Sequence, residues 1–390
     1  MRPLRILALI VLLAVVAGCT DADDSSAPTA RSTPATSTSS TSTTTTVPAP
    51  RPRQFTVTGS RSGFAHGYEL VRREPPADVE ADLDLMASSG AQWLRAGISW
   101  ATVEPSPGVY DWAGSDRVVH GALDRGMSVL VAVSSAPGWD AKPGCHTNEC
   151  APSDPRPYAD FIRVAVQRYA PLGVHTWEIW NEPNHVQFWG PRPDPVAYTD
   201  LLKRSSLAIH ETDPDAIVMN GGLSPAPNGN GEIAPLTFLR RVYELGGGPY
   251  MGAVADHPYQ YPNRPTSSES TNAFLQTAAI HDLMVSFGDG SKLIWGTEVG
   301  APTRGPRTVS EANGPTWVRE YYDVWNGWAF TGPLLWYTAR DKGDGNGIED
   351  SYGLVRHNRT PKPAWSTFVE MVSNSALLPN ALVKRLGENR

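Results

Sequence analysis

Three cysteines in 390 residues, Cys19, Cys145 and Cys150, are too few for a disulfide-stapled scaffold. Clustered lysine and arginine are missing too: 33 basic residues face 40 acidic ones, a net charge of −7, so the chain lacks the electrostatic footprint of a nucleic-acid binder. The apolar run from Ile6 to Ala17 falls short of the about 20 residues that a membrane-crossing helix needs. No Gly-x-Gly-x-x-Gly turn follows a strand pattern, and Gly246-Gly247-Gly248 reads as a loop, which removes a dinucleotide cofactor. What is present is a 40% hydrophobic chain with 13 Trp, 13 Tyr, 35 Gly and 35 Pro. That profile fits one large or two medium domains with aromatic-rich loops on a rigid scaffold, and a cleft for uncharged or weakly charged ligands.

Arg2 and Arg5, the apolar run and the small residues before Cys19 read as an export signal over residues 1–18. Val16-Ala17-Gly18-Cys19 resembles a bacterial lipobox, which implies cleavage before Cys19, a lipid on its sulfur and an anchor on the outer face of the cell membrane. An ordinary secretory signal is the alternative. Cleavage takes away two positive charges and leaves −7 − 2 = −9. Residues 19–54 read as a disordered tether, since Ser and Thr supply 17 of the 31 residues from Thr20 to Pro50 with no apolar period. As a random chain it reaches roughly 30 Å. On an exported chain Cys145 and Cys150, in Cys-His-Thr-Asn-Glu-Cys, are left to pair, a bridge that stiffens a loop by about 2 kcal/mol. A zinc site using His146 would lack a clear fourth ligand.

From residue 55 to 385 apolar runs alternate with helical patterns. Strands are expected near Ser62–Gly67 and over Gln92–Ser99, Ser128–Ser134, Val174–Asn181, Ile217–Gly221, Val254–Tyr259, Leu293–Glu298 and Leu334–Thr338. Helices are expected around Ser115–Arg125, from Pro157, over Pro195–Glu211 and over Asn313–Asn326. Eight units in 331 residues, about 41 each, predict an α/β fold: a (β/α)8 TIM barrel forming a single catalytic domain with long βα loops. An open doubly wound sheet is the competing architecture.

Two acids close apolar strands: Glu182 in Trp177-Glu178-Ile179-Trp180-Asn181-Glu182-Pro183-Asn184, and Glu298 in Leu293-Ile294-Trp295-Gly296-Thr297-Glu298. Barrel enzymes place their chemistry at that end, and glycosidic cleavage needs one carboxylic acid and one carboxylate. Around the first acid, with Phe188-Trp189 following, the chain resembles the clan A glycoside hydrolases, family 39 most closely and family 5 as a near relative. Val103-Glu104-Pro105, His257-Pro258-Tyr259 and Tyr352-Gly353-Leu354-Val355 extend the resemblance over most of the domain. It implies Glu182 as acid/base, Glu298 as nucleophile and Asn181 on the sugar 2-hydroxyl. His257 and Tyr259, placed on the sixth strand, would hold substrate and orient the nucleophile. Arg95 on the second strand would pair near Glu298 or Glu182, because a buried guanidinium needs a carboxylate. Trp336 would form the aromatic floor under the sugar, with Trp139 and Trp189 at outer subsites.

The expected activity is a retaining glycoside hydrolase acting by double displacement on an extracellular or envelope poly- or oligosaccharide. A non-catalytic carbohydrate-binding lipoprotein and a transglycosylase are the alternatives. Family 39 points to β-xylosides or exopolysaccharides and family 5 to β-glucans or β-mannans. After Glu298 the chain has Val299-Gly300 where many family 39 members have an aromatic residue, and the third strand ends Ser134-Ser135-Ala136-Pro137 without the His common in family 5. No cofactor, metal or nucleic acid is expected, and the protein is read as a monomer. The spacing in the Asp341–Asp350 loop does not fit a helix-loop-helix calcium site.

Overall fold

The computed structural model describes residues 61–66, 70–71, 75–147 and 149–375. The export signal, the tether and Cys19 lie outside them.

Eight strands alternate with helices: β1 (Ser62–His66), α1 (Pro76–Ser88), β2 (Trp93–Ser99), α2 (Trp100–Val103), α3 (Ala113–Asp124), β3 (Ser128–Ser134), α4 (Pro155–Tyr169), β4 (Thr176–Ile179) and α5 (Pro195–Thr212). The second half continues with β5 (Ile217–Asn220), α6 (Pro235–Glu244), β6 (Val254–Asp256), α7 (Ala273–Ser286), β7 (Ile294–Val299), α8 (Gly314–Gly327), β8 (Thr331–Tyr337) and α9 (Pro363–Ser375). All ladders are parallel, in the order β5-β4-β3-β2-β1-β8-β7-β6. The edges β5 and β6 meet through isolated bridges, Met219 with Ala253 and Leu223 with Asp256, and through Gly252 N–H donating to Val218 O at 2.7 Å. The Asn220 side chain completes the seam. Its Nδ2 donates to Ala255 O at 2.9 Å and its Oδ1 accepts the Ala255 N–H at 3.0 Å, so a side-chain amide stands in for a peptide group. The result is the expected (β/α)8 barrel rather than an open sheet.

Several boundaries differ from the sequence reading, among them that of β8, which begins at Thr331 rather than Leu334, and three differ for local reasons. The fourth helix begins at Pro155, not Pro157, because the Asp154 carboxylate caps it by accepting from Arg156 N–H and Pro155 takes the first turn. The sixth strand stops at Asp256, so His257 and Tyr259 lie just beyond it. The fourth strand is only Thr176–Ile179, and Trp180 beyond it has a left-handed φ of 76°.

Strand alternation produces two apolar layers. Leu94, Ile98, Trp177, Ile179 and Val299 face the helices, while Ala65, Leu130, Met219, Ala255 and Leu335 fill the barrel, where Trp93 meets Trp295 edge-on at 4.9 Å. A carboxyl group, that of Asp256, also lies toward the helices. Asp256 accepts from Thr277 Oγ1 of α7 at 3.1 Å, and burial pushes its carboxyl from 3.8 up to about 7. The folded state therefore keeps a proton that the unfolded chain releases, so stability from this group is present at low pH and lost as pH rises from about 4 to 7. Asp256→Asn should flatten the decline in Tm between pH 5 and 8, a difference on the order of 1 kcal/mol or more. Thermal melts of both proteins across that range check this, and equal slopes would count against it.

Candidate active site

The site is built from the inward alternation of β2. Trp93, Arg95 and Gly97 point into the barrel, which places a guanidinium that is 2% exposed among strand side chains. A buried charge requires partners, and Arg95 finds them on β4, beyond β4 and on β7. Its Nε and Nη2 hold both oxygens of Glu178 at 2.8 Å, its Nη2 also donates to Asn181 Oδ1 at 2.8 Å, and its Nη1 donates to Glu298 Oε1 at 2.5 Å. The expected pairing with Glu298 is present. Glu182 is not a partner, and the carboxylate that neutralises most of Arg95 is Glu178, which the sequence reading passed over. Its signal was available: Trp177 and Ile179 face outward, so Glu178 must face inward.

Each acid arrives by an irregularity in the backbone. In β7, Gly296 pairs with Leu334 and Val299 with Trp336, so three residues of β7 span two of β8. This bulge turns both Thr297 and Glu298 inward, where unbroken alternation would bury the carboxylate against the helices. Beyond β4, Trp180 stays outward with Trp189 and Tyr158, and the left-handed Trp180 and Glu182, the latter with φ 43°, bring Asn181 and Glu182 over the barrel mouth. The Glu182 N–H donates to Gly222 O at 3.1 Å and the Gly222 N–H donates to Glu178 Oε1 at 2.8 Å. A Cβ on Gly222 would lie 2.1 Å from His257 Nε2, so only glycine lets the loop after β5 pass this close.

His257 Nδ1 lies 2.9 Å from Glu182 Oε1 and 3.8 Å from Glu298 Oε2, and the Tyr259 hydroxyl donates to Glu298 Oε2 at 2.8 Å. One oxygen from each acid and a His257 nitrogen all fall within 4.8 Å of one another. That closeness would also admit a metal ion, but Glu298 already accepts from Arg95 and Tyr259, and His257 Nδ1 from Glu182's side is engaged. Burial alone would raise the Glu298 carboxyl, yet His257, Arg95 and Tyr259 outweigh it and hold it below its ordinary value. Burial opposes charge on His257, but Glu298 and Glu182 beside it raise its affinity for a proton. Burial and the nearby Glu298 keep Tyr259 protonated, so it acts as a donor.

Six expected residues, Glu182, Glu298, Asn181, Arg95, His257 and Tyr259, thus converge on one point. The tryptophans do not follow them. Trp336 is 2% exposed in the outer layer, where it meets Tyr321 edge-on at 5.9 Å and donates from Nε1 to Tyr352 O, so it is no floor for the barrel mouth. The inward aromatic at the end of β8 is its neighbour Tyr337, whose hydroxyl donates to Glu349 Oε2 at 3.1 Å and whose ring lies 6.3 Å from that of Tyr259. Trp189 is 1% exposed, packed between Trp180 and Tyr198 as core. Trp139 is 36% exposed on the loop after β3, held edge-on to Trp100 with its Nε1 donating to Glu104 O at 3.2 Å.

Cys145 and Cys150 form a disulfide, which takes both thiols from the zinc reading. The bridged loop props the chain downstream of Glu182. Gly190 N–H donates to Glu149 O and Ala151 N–H to Gly190 O, both at 3.0 Å, while Ser134 Oγ donates to the Glu149 carboxylate at 2.7 Å. In the Asp341–Asp350 loop, Asp341 is held by Lys362 at 2.7 Å and by Gly353 N–H at 2.8 Å, and Asp350 accepts from Gly347 N–H at 3.0 Å.

Comparison with known proteins bears on the fold that carries this site. A sequence model of the glycoside hydrolase family 42 β-galactosidases matches residues 70–144. A β-galactosidase from Arthrobacter sp is 33% identical over 92 residues, covering 23% of this chain and 13% of that protein. A β-1,4-xylanase from Dictyoglomus thermophilum is 28% identical over 128 residues, 30% of this chain and 34% of that protein. The chain therefore spans about an eighth and a third of the curated relatives it matches. The solved structure of a family 39 glycoside hydrolase from Bacteroides cellulosilyticus WH2 superposes with a TM-score of 0.67 at 22% identity, covering 81% of this chain and 64% of that one. In fold, the chain is built like a family 39 glycoside hydrolase.

Proposed function

We propose that this protein is a retaining glycoside hydrolase, exported and lipid-anchored through Cys19, acting on a poly- or oligosaccharide at or outside the cell envelope. The observation that carries the reading is the pair of carboxylates within 4.8 Å of each other across the barrel mouth. With one oxygen of each acid inside that distance, the spacing favours double displacement, for which the carboxyl groups lie about 5 to 5.5 Å apart, over inversion, which needs about 6.5 to 9.5 Å. Similarity to galactosidase, xylanase and family 39 folds supports the same class of bond.

In the first step Glu298, ionised and held by Arg95 and Tyr259, attacks the anomeric carbon, and Glu182 gives its proton to the departing oxygen. The glycosyl group is then an ester of Glu298. In the second step Glu182 takes a proton from water, the water oxygen bonds the anomeric carbon, and the Glu298 carboxylate leaves. Asn181, whose Oδ1 accepts from Arg95, has its amide oriented with the N–H2 free to donate to the sugar 2-hydroxyl. As ester formation removes the charge on Glu298, Arg95 keeps its hold on Glu178, so the cation is never stranded.

Protein extracted from membranes and treated with 2-deoxy-2-fluoro glycosyl fluorides of xylose, galactose, mannose and glucose tests both halves of the proposal by intact mass. The expected result is a chain beginning at Cys19 with lipid mass, which gains one fluorosugar that peptide mapping places on Glu298. No gain with any of the four sugars, together with no hydrolysis of the matching aryl glycosides, would favour the non-catalytic carbohydrate-binding reading.

A further inference from the structure

Glu178 has no role in the double displacement itself, yet it is fully buried at the centre of the site. It spends both oxygens on Arg95 and accepts Gly222 N–H, and its Oε1 lies 3.9 Å from His257 Nε2. Arg95 and His257 both reach the reacting acids, Arg95 to Glu298 and His257 to Glu182. One buried anion thus stands behind both arms. Stability alone does not require this arrangement, because a buried ion pair breaks even at best against an apolar replacement.

We propose that Glu178 is a positioning residue that holds Arg95 against Glu298, places its negative charge behind His257, and sets the net charge that Glu298 faces. This rests on the glycosidase reading for its effect on rate, but not for its effect on charge. Glu298 is surrounded by Arg95 from β2, Glu182 beyond β4, His257 and Tyr259 beyond β6, and Lys342 and Glu349 from the loop after β8, with Glu178 of β4 reaching it through Arg95. If Glu178 loses its charge while Arg95 stays in place, the guanidinium acts on Glu298 undiluted. The nucleophile then holds its proton less tightly and is a weaker base.

The test uses the full chain with Glu178→Gln and Glu178→Asp. Carboxyl titration of Glu298, read by 13C NMR of glutamate-labelled protein and assigned with Glu298→Gln, needs no substrate. Glu178→Gln should shift this titration down by about one pH unit, a tenfold change in proton affinity. On an aryl glycoside that wild type cleaves, kcat should fall roughly 10- to 100-fold, KM should change little, and the acid limb of kcat/KM should move down with the titration. Glu178→Asp keeps the charge but shortens the reach, so the limb should stay in place while kcat falls. A Glu298 titration that is unmoved or raised in Glu178→Gln overturns the proposal, as does a shifted limb or a wild-type kcat in Glu178→Asp. If wild type cleaves no glycoside, the glycosidase reading fails, and the titration still decides the role of Glu178.

Discussion

Glu298→Ala should lose hydrolysis by roughly 10^4-fold or more, the scale on which removal of a covalent nucleophile is felt. The expectation follows from placement: this carboxylate is the one that the β7 bulge turns inward and that Arg95 and Tyr259 hold ionised. The loss should also have a chemical signature. Alanine leaves room for a small anion, so added azide should restore cleavage of an activated aryl glycoside and give a glycosyl azide of the anomeric configuration opposite to that of the substrate. In Glu182→Ala the glycosyl-enzyme still forms from a good leaving group, and azide then enters from the other face to give a product that retains configuration. Rates and NMR of the azide products decide the matter. Near-wild-type hydrolysis by Glu298→Ala, or the same anomer from both variants, would remove the assignment of the two acids.

The second large effect concerns folding. Arg95→Met strips Glu178 of the cation that binds both its oxygens, leaving a carboxylate with no exposure in the barrel. Breaking a buried pair in this way costs about 3 to 5 kcal/mol, and a Tm lower by roughly 5 to 8 °C is expected for a domain of this size. Removing the stranded charge as well should recover much of the loss, so the double variant with Glu178→Gln should melt above Arg95→Met alone, with a coupling of about 1 to 3 kcal/mol. Activity should not return, since Asn181 and Glu298 still lack their donor. Melts of the four proteins in the cycle measure the coupling, and purely additive losses would show that the two side chains do not depend on each other.

Much of the barrel could be read from the residues because its layers follow alternation. The Ser128–Ser134 strand matches its expected bounds, and Arg95 falls on the inward face of β2 as its neighbours Leu94 and Ala96 require. The acids at strand ends were legible by position. What decides their aim was not, since Gly296 beside the bulge and Pro183 beside the left-handed turn mark an irregularity without telling which way Glu298 and Glu182 point. The closing of β5 on β6 was equally silent, because it joins isolated bridges to one asparagine amide that matches a peptide group across the seam. Trp336 is a different case. Counting from inward Leu335 puts Tyr337 inside and Trp336 outside, so the alternation held the answer while the resemblance pointed to the wrong neighbour.

The bulge in β7 also bears on transplanting this chemistry. Copying Ile294–Val299 onto a regular strand of another barrel would carry the glutamate across and lose its function, because a strand without the extra residue would present Thr297 to the cavity and aim Glu298 at the helices. What has to be inherited with Glu298 is a local miscount between two neighbouring strands, three residues of one against two of the other.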